Sequence, residues 1–180
     1  MKKIVIIAII LFAAILMPQK VNAHQLQQTA SAQLAIGSEI APRDDIRVQA
    51  LEKVFERYNS PLKSAAPAYV ALADKNGVDW KLLPAISGLE SGFGKHLMPN
   101  SYNAYGWGGG YIYFESWEHG IDTITQSLKS RYYDRGADTV WTIGPIYAES
   151  PTWAVRVNSF INSIEKEYID ILKNEVEITI

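Results

Sequence analysis

The chain has 180 residues, with 17 basic side chains against 19 acidic ones and no cysteine. Three of the lysines fall in residues 1–23, so the remainder carries 14 basic against 19 acidic residues, a net charge of −5. Nothing in that balance forms a basic stripe to track phosphates, which argues against a nucleic-acid partner. A core without disulfides must hold by packing alone, within reach of one domain of about 140 residues.

The N-terminus reads Met1-Lys2-Lys3, an unbroken apolar run from Ile4 to Met17, Pro18, and then Val21-Asn22-Ala23. The run is shorter than the roughly 20 residues of a spanning helix and ends in a small-x-small pattern, the layout of a secretory signal cleaved after Ala23. The alternative is an uncleaved anchor that tethers the chain to a membrane through residues 4–17. On either reading the rest of the chain works outside the cytoplasm, secreted or in the cell envelope. Residues 24–42, rich in Gln, Ser and Ala without apolar period, read as a flexible spacer. Residues 43–175 then form one domain.

Asp44 or Asp45 can cap a first helix in which Ile46, Leu51, Val54, Phe55 and Tyr58 recur at three- and four-residue steps, and Asn59-Ser60-Pro61 stops it. A second helix is expected from Ser64 to Lys75, with Tyr69, Val70 and Leu72 available for burial and Asn76-Gly77 as a left-handed stop. Asp79 is the expected cap of a third, ending near Ser91. From Gly92 to Tyr113 the period disappears and glycine and aromatic residues dominate, as in a long loop or a small β-hairpin lobe. Ser116 can cap a fourth helix with Ile121, Ile124, Leu128 and Tyr132 on one face. A short turn over Asp138–Ile143 precedes Gly144-Pro145. Ser150-Pro151 opens a last long helix that turns Trp153, Val157, Phe160, Ile161, Ile164 and Tyr168 inward. The fold class is therefore mainly α with one irregular or hairpin lobe, without internal repeats.

Glu90 stands at the edge of the third helix's apolar stripe of Leu82, Ile86 and Leu89. Partial burial there, and the negative end of the helix dipole, both disfavour the anion and raise the carboxyl pKa. A carboxylic acid that keeps its proton near neutral pH is suited to protonating a glycosidic oxygen. The alternative is a glutamate that points into solvent beside Ser91. After it come Gly92-Phe93-Gly94-Lys95 and Asn100-Ser101-Tyr102-Asn103-Ala104-Tyr105-Gly106-Trp107-Gly108-Gly109-Gly110. Flat rings beside glycine-permitted bends suit a groove for sugar rings, and equally suit ordinary packing. Other chemistry has no support. His24, His96 and His119 lack ligand spacing, so neither a metal site nor a cofactor is expected. No Gly-x-Ser-x-Gly elbow is present, and the glycines at 106–110 lack the Lys and Ser or Thr of a phosphate loop.

The ordered motifs Leu89-Glu90-Ser91-Gly92-Phe93-Gly94, Asn103-Ala104-Tyr105-Gly106 and Ile146-Tyr147-Ala148-Glu149-Ser150-Pro151-Thr152-Trp153 resemble the lysozyme-like superfamily. The closest resemblance is to the bacterial endo-β-N-acetylglucosaminidase domain, also called mannosyl-glycoprotein endo-β-N-acetylglucosaminidase-like. The lytic transglycosylases share the Glu-Ser-Gly-Phe start. The resemblance spans roughly residues 68 to 165. It implies a monomeric peptidoglycan-cleaving glycosidase, acting on β-1,4 bonds between N-acetylated amino sugars, with Glu90 as general acid and base. Asn103 and Tyr105 would line the groove opposite it, Tyr147 would face the site from the start of the final helix, and Trp107 would offer a platform for a sugar ring. Ser91 completes the candidate substrate-binding set, bracing the helix end rather than reacting. Such glucosaminidases carry a second acid in a β-hairpin lobe, and here the lobe is short. Glu115 reads as a solvated residue before the cap and Glu118 as a first-turn acid serving the helix dipole. With one carboxyl, the two-acid schemes of hydrolysis are not assured. Lytic transglycosylase or muramidase action through the same Glu90 is the nearest alternative. A wall-binding module without turnover is the alternative of a different class.

Overall fold

In a computed structural model, residues 41–178 are described, with side chains to residue 177. The expected signal, residues 1–23, and the spacer up to residue 40 lie outside them.

Helix α1 (Ile46–Arg57) begins where the sequence places its cap: Asp45 Oδ1 accepts from the Arg47 amide at 2.8 Å. The same arginine pairs with Asp45 and with Asp74, at 2.7 Å each, tying the start of α1 to the next helix. Val48, Leu51, Val54 and Phe55 form its buried face. Asn59 turns the chain at φ +51, and Ser60 accepts from the Leu62 amide while donating to the Phe93 carbonyl at 2.7 Å.

The expected second helix divides in two. Pro61–Ala65 form a 3-10 turn, and α2 (Ala66–Asn76) follows, because Pro67 in its first turn has no amide to bond backwards. Gly77 stops it at φ +63 and ψ 39, as expected. Helix α3 (Leu82–Ser91) starts three residues after Asp79, whose carboxylate caps the Lys81 amide in the preceding turn instead of the helix itself. Every residue from Leu82 to Gly88 is buried, so α3 is enclosed on all sides and not merely along a stripe. Gly92 ends it in the left-handed region, and Phe93 follows there at φ +60. Phe93 holds this unusual backbone because its ring is fully buried among Phe55, Tyr58 and Phe160, with centroids 4.7–5.6 Å away.

Residues 92–116 contain a 3-10 turn at Trp107–Gly110, and no strand occurs among the described residues, so the lobe is irregular and not a hairpin. Helix α4 (Trp117–Arg131) carries the Ser116 cap, and Ile121, Ile124, Leu128 and Tyr132 are all buried. Helix α5 (Val140–Tyr147) is longer than the expected turn. Thr139 and Thr142 cap it reciprocally, and Gly144-Pro145 lie inside it. Pro145 is the sixth of eight residues, where it removes only one amide donor and does not break the helix. Helix α6 (Trp153–Ile178) opens two residues later than Pro151 would place it and packs on α1, α3 and α5. Of its expected inward set, Trp153, Val157 and Ile164 are buried, while Phe160, Ile161 and Tyr168 are half-buried.

The α3–α6 contact leaves no room at Gly88. A Cβ there would stand 2.7 Å from Phe93 Cζ and 3.0 Å from Phe160 Cδ1. Gly88→Ala should therefore destabilise the domain by about 1–3 kcal/mol despite its better helix propensity. Denaturant unfolding measures this, and a variant as stable as the parent would refute the packing described.

Candidate functional site

Glu90 is the last residue but one of α3, and its carboxylate lies where two cavities meet. One, of about 320 Å³, is walled by Tyr105, Gly106, Trp107, Tyr132 and Tyr147. The other, of about 240 Å³, is walled by His96, Met98, Asn103, Gly106 and Gly109. Glu90 and Gly106 border both, and among the described residues no other carboxylate lines either.

Three devices place the carboxylate. Ser91 Oγ, buried, shares its proton between the carbonyls of Ala104 at 2.7 Å and Ser87 at 3.0 Å, and accepts from the Gly94 amide at 2.8 Å. The end of α3 is thereby sewn to the loop that carries Tyr105 and Gly106. Gly106 lies so close that a Cβ built on it would stand 3.5 Å from Glu90 Oε2, and its φ of +64 suits glycine besides. The third device comes from α6: the indole Nε1 of Trp153 donates to Glu90 Oε1 at 3.0 Å. Trp153 is itself buried and stacks on Tyr147, with centroids 4.6 Å apart and planes 26° from parallel.

Glu90 is exposed, so the partial burial expected from its place beside the apolar stripe is not found. Its neighbours Ser87, Gly88 and Ser91 turn toward the core, and at 100° per residue Glu90 is left facing the cleft. Tyr147 borders the site from the end of α5, not from the start of the final helix. Its hydroxyl is buried without a hydrogen-bond partner, and burial, then the charge of Glu90, pushes the phenol pKa well up. Tyr105 belongs to the wall, and its hydroxyl is spent: it shares a 2.8 Å hydrogen bond with Tyr69, fully inside the core.

Asn103 and Ser91 prove to be braces. The Asn103 amide donates to the carbonyls of Trp107 and Ile112 at 2.8 and 3.0 Å, and its oxygen accepts from the Trp107 amide at 3.0 Å. That side chain closes the glycine-rich loop from within, with both amide N–H groups spent on loop carbonyls. Trp107 is half-buried, with the Arg131 guanidinium 5.4 Å above its ring, so one face of the expected platform is already covered. Glu115 and Glu118 line neither cavity; Glu115 is exposed and lies 3.9 Å from His119. Among the described residues no three His, Asp or Glu side chains are grouped to hold a metal ion. Reading the sequence misses Trp153 as a site residue, although a buried indole N–H that needs an acceptor was a usable signal. The chain matches no known family model, and no curated protein is significantly similar to it.

Two outcomes follow from these networks. Asn103→Ala removes three loop hydrogen bonds and strands the Trp107 amide, so the amides of residues 104–112 should lose protection in hydrogen exchange while those of α4 keep theirs. Unchanged exchange in the loop would contradict the bracing role. The second concerns pH. Tyr69, Tyr105 and Tyr147 all have phenols raised by burial above the value of about 10 that they regain on unfolding. The neutral form is favoured by the folded state, so their contribution to stability is complete below about pH 10 and drains away as the pH rises past it. Denaturant melts across this range should show the fall, with phenolate absorbance appearing as the fold is lost; a stability flat to higher pH would contradict it.

Proposed function

We propose that the chain is a glycosidase that cleaves peptidoglycan strands at β-1,4 bonds between N-acetylated amino sugars, with Glu90 as general acid and then general base. On this reading the domain is lysozyme-like, and its closest functional likeness is to the endo-β-N-acetylglucosaminidases. The observation that supports it is the single carboxylate at the junction of two cavities walled by aromatic rings and glycine backbone. A bond to be cut must lie across such a junction, with a sugar on either side. Trp153 fixes Oε1, which leaves Oε2 toward Gly106 and the groove.

With one carboxylate the nucleophile comes from the substrate. Glu90 gives its proton to the glycosidic oxygen as the bond to C1 breaks, and the carbonyl oxygen of the sugar's own acetamido group closes on C1. Water then opens the resulting ring, yielding its proton to the Glu90 carboxylate and restoring the acid. Attack by the sugar's own 6-hydroxyl, deprotonated by the same carboxylate, is the second reading. It is favoured by the same lone acid and gives an anhydro product without water. Sugar rings filling both cavities would exclude solvent from Oε2, supplying with the substrate the desolvation that the free protein lacks. The proposed setting is extracytoplasmic, following the N-terminal segment; no described helix is long and apolar enough to cross a membrane.

The test is incubation with purified peptidoglycan sacculi and mass spectrometry of the released fragments. Reducing N-acetylglucosamine ends identify a glucosaminidase, anhydro-muramyl ends a transglycosylase, and reducing N-acetylmuramic ends a muramidase. Wild-type protein that binds sacculi but releases nothing would leave a binding module and end the enzyme reading. Glu90→Gln should lower the rate by about 10²- to 10⁴-fold. Trp153→Phe, which keeps the ring against Tyr147 but deletes the donor, should lower it about tenfold to a hundredfold. A Glu90→Gln variant as active as wild type would sink the assignment.

A further inference from the structure

A further cavity shares a wall residue with the first. Beyond Ala148, which lines both, lies a larger cavity of about 470 Å³ where α5 gives way to α6. Its walls include Trp141, Pro145, Glu149, Ser150 and Pro151. Trp141 is 54% exposed, an unusual state for the side chain with the most apolar surface to hide. Unlike Trp107, it has neither a cation nor a ring on its face among the described residues. Folding gains little from an indole placed this way, so its position calls for another explanation.

The surrounding chemistry supplies one. Pro145 lacks the amide that would close a helical bond on the Trp141 carbonyl, so that carbonyl is left without its i+4 donor. Glu149 and Ser150 are exposed at the same cavity and add a carboxylate and a hydroxyl. A flat apolar platform with acceptors at its margin matches a pyranose ring, which has an apolar face and a rim of hydroxyl donors. Two proline rings, Pro145 and Pro151, stiffen the walls, so little conformational freedom is lost on binding. The shared wall at Ala148 favours one occupant: a polymer lying across Glu90 and leaving the first cavity past Ala148 would meet this one.

We propose that the cavity at the α5–α6 junction is a distal subsite of the same groove, binding a further sugar unit of the glycan strand with Trp141 as its stacking platform. This rests on the glycan-cleaving reading of Glu90.

The experiment uses the full chain carrying Glu90→Gln, so that ligands bind without being cut. Affinities are measured by titration calorimetry for the disaccharide and the hexasaccharide of β-1,4-linked N-acetylglucosamine. The hexasaccharide should bind more tightly. Adding Trp141→Ala should weaken it by about tenfold and remove most of the gain with length. Trp141→Tyr should restore much of that gain, which a merely structural role would not reproduce, and unchanged melting of the variants confirms that folding is intact. If the hexasaccharide binds better than the disaccharide with or without Trp141, the subsite is refuted while the glycan reading stands. If neither sugar binds the parent protein, the glycan reading fails and the subsite falls with it.

Discussion

One buried hydroxyl, that of Ser91, joins the helix that carries the acid to the loop that faces it. Its proton and lone pair reach Ala104, Ser87 and Gly94 together, so three stretches of backbone that would otherwise need separate partners are satisfied at one atom. Without that knot the end of α3 and the Tyr105–Gly106 segment would be independent, and Gly106 would have no reason to lie against Glu90. Asn103 repeats the device one step further along the loop, where its amide replaces the ladder that a hairpin would have provided. An irregular lobe can thus be as determined as a sheet, provided its backbone groups are answered by buried side chains.

Much of the scaffold was legible because its signals were local. Helix α4 needed only Ser116 and a four-residue apolar rhythm, and α1 only Asp45 and the same. Where those signals failed, the cause was tertiary. The stripe assigned to α3 was too narrow because that helix is wrapped by neighbours that no local pattern announces. Gly144-Pro145 looked like a stop, yet a helix of eight residues loses just one bond to a proline at its sixth position. The start of α6 slipped because Ser150 and Pro151 form a turn before the helix rather than its first residues.

The site divides along the same line. Glu90, Tyr105, Trp107 and Tyr147, from separate stretches of the sequence, border one cavity. Ser91 braces the helix end as expected, while Asn103, expected to line the groove, spends its amide on the loop backbone, since a motif does not say whether a residue meets the ligand or the backbone. Trp153 could be placed inward from its periodicity, but its pairing with Glu90, 63 residues away, depends on how α6 crosses α3. The sequence left the exposure of Glu90 open between a partly buried and a solvent-facing carboxyl, because whether a helix end is dry depends on what stands across from it. Among the described residues Glu90 is the one carboxylate that lines either cavity, and on the proposed reading proton transfer falls to it while the covalent part of the reaction falls to the sugar.

Helix α6 is the last of the described helices in chain order, and three of the others, α1, α3 and α5, pack on it. It covers α1 and α3, its indole anchors Glu90, and its Glu167 pairs with Arg57 at the end of α1. A nascent chain that has emerged only as far as α5 therefore lacks both the largest helix interface of the domain and the group that holds the acid. Packing of α1 and α3 and placement of the Glu90 carboxylate both wait on the same helix, so a chain shortened before Trp153 lacks the two together.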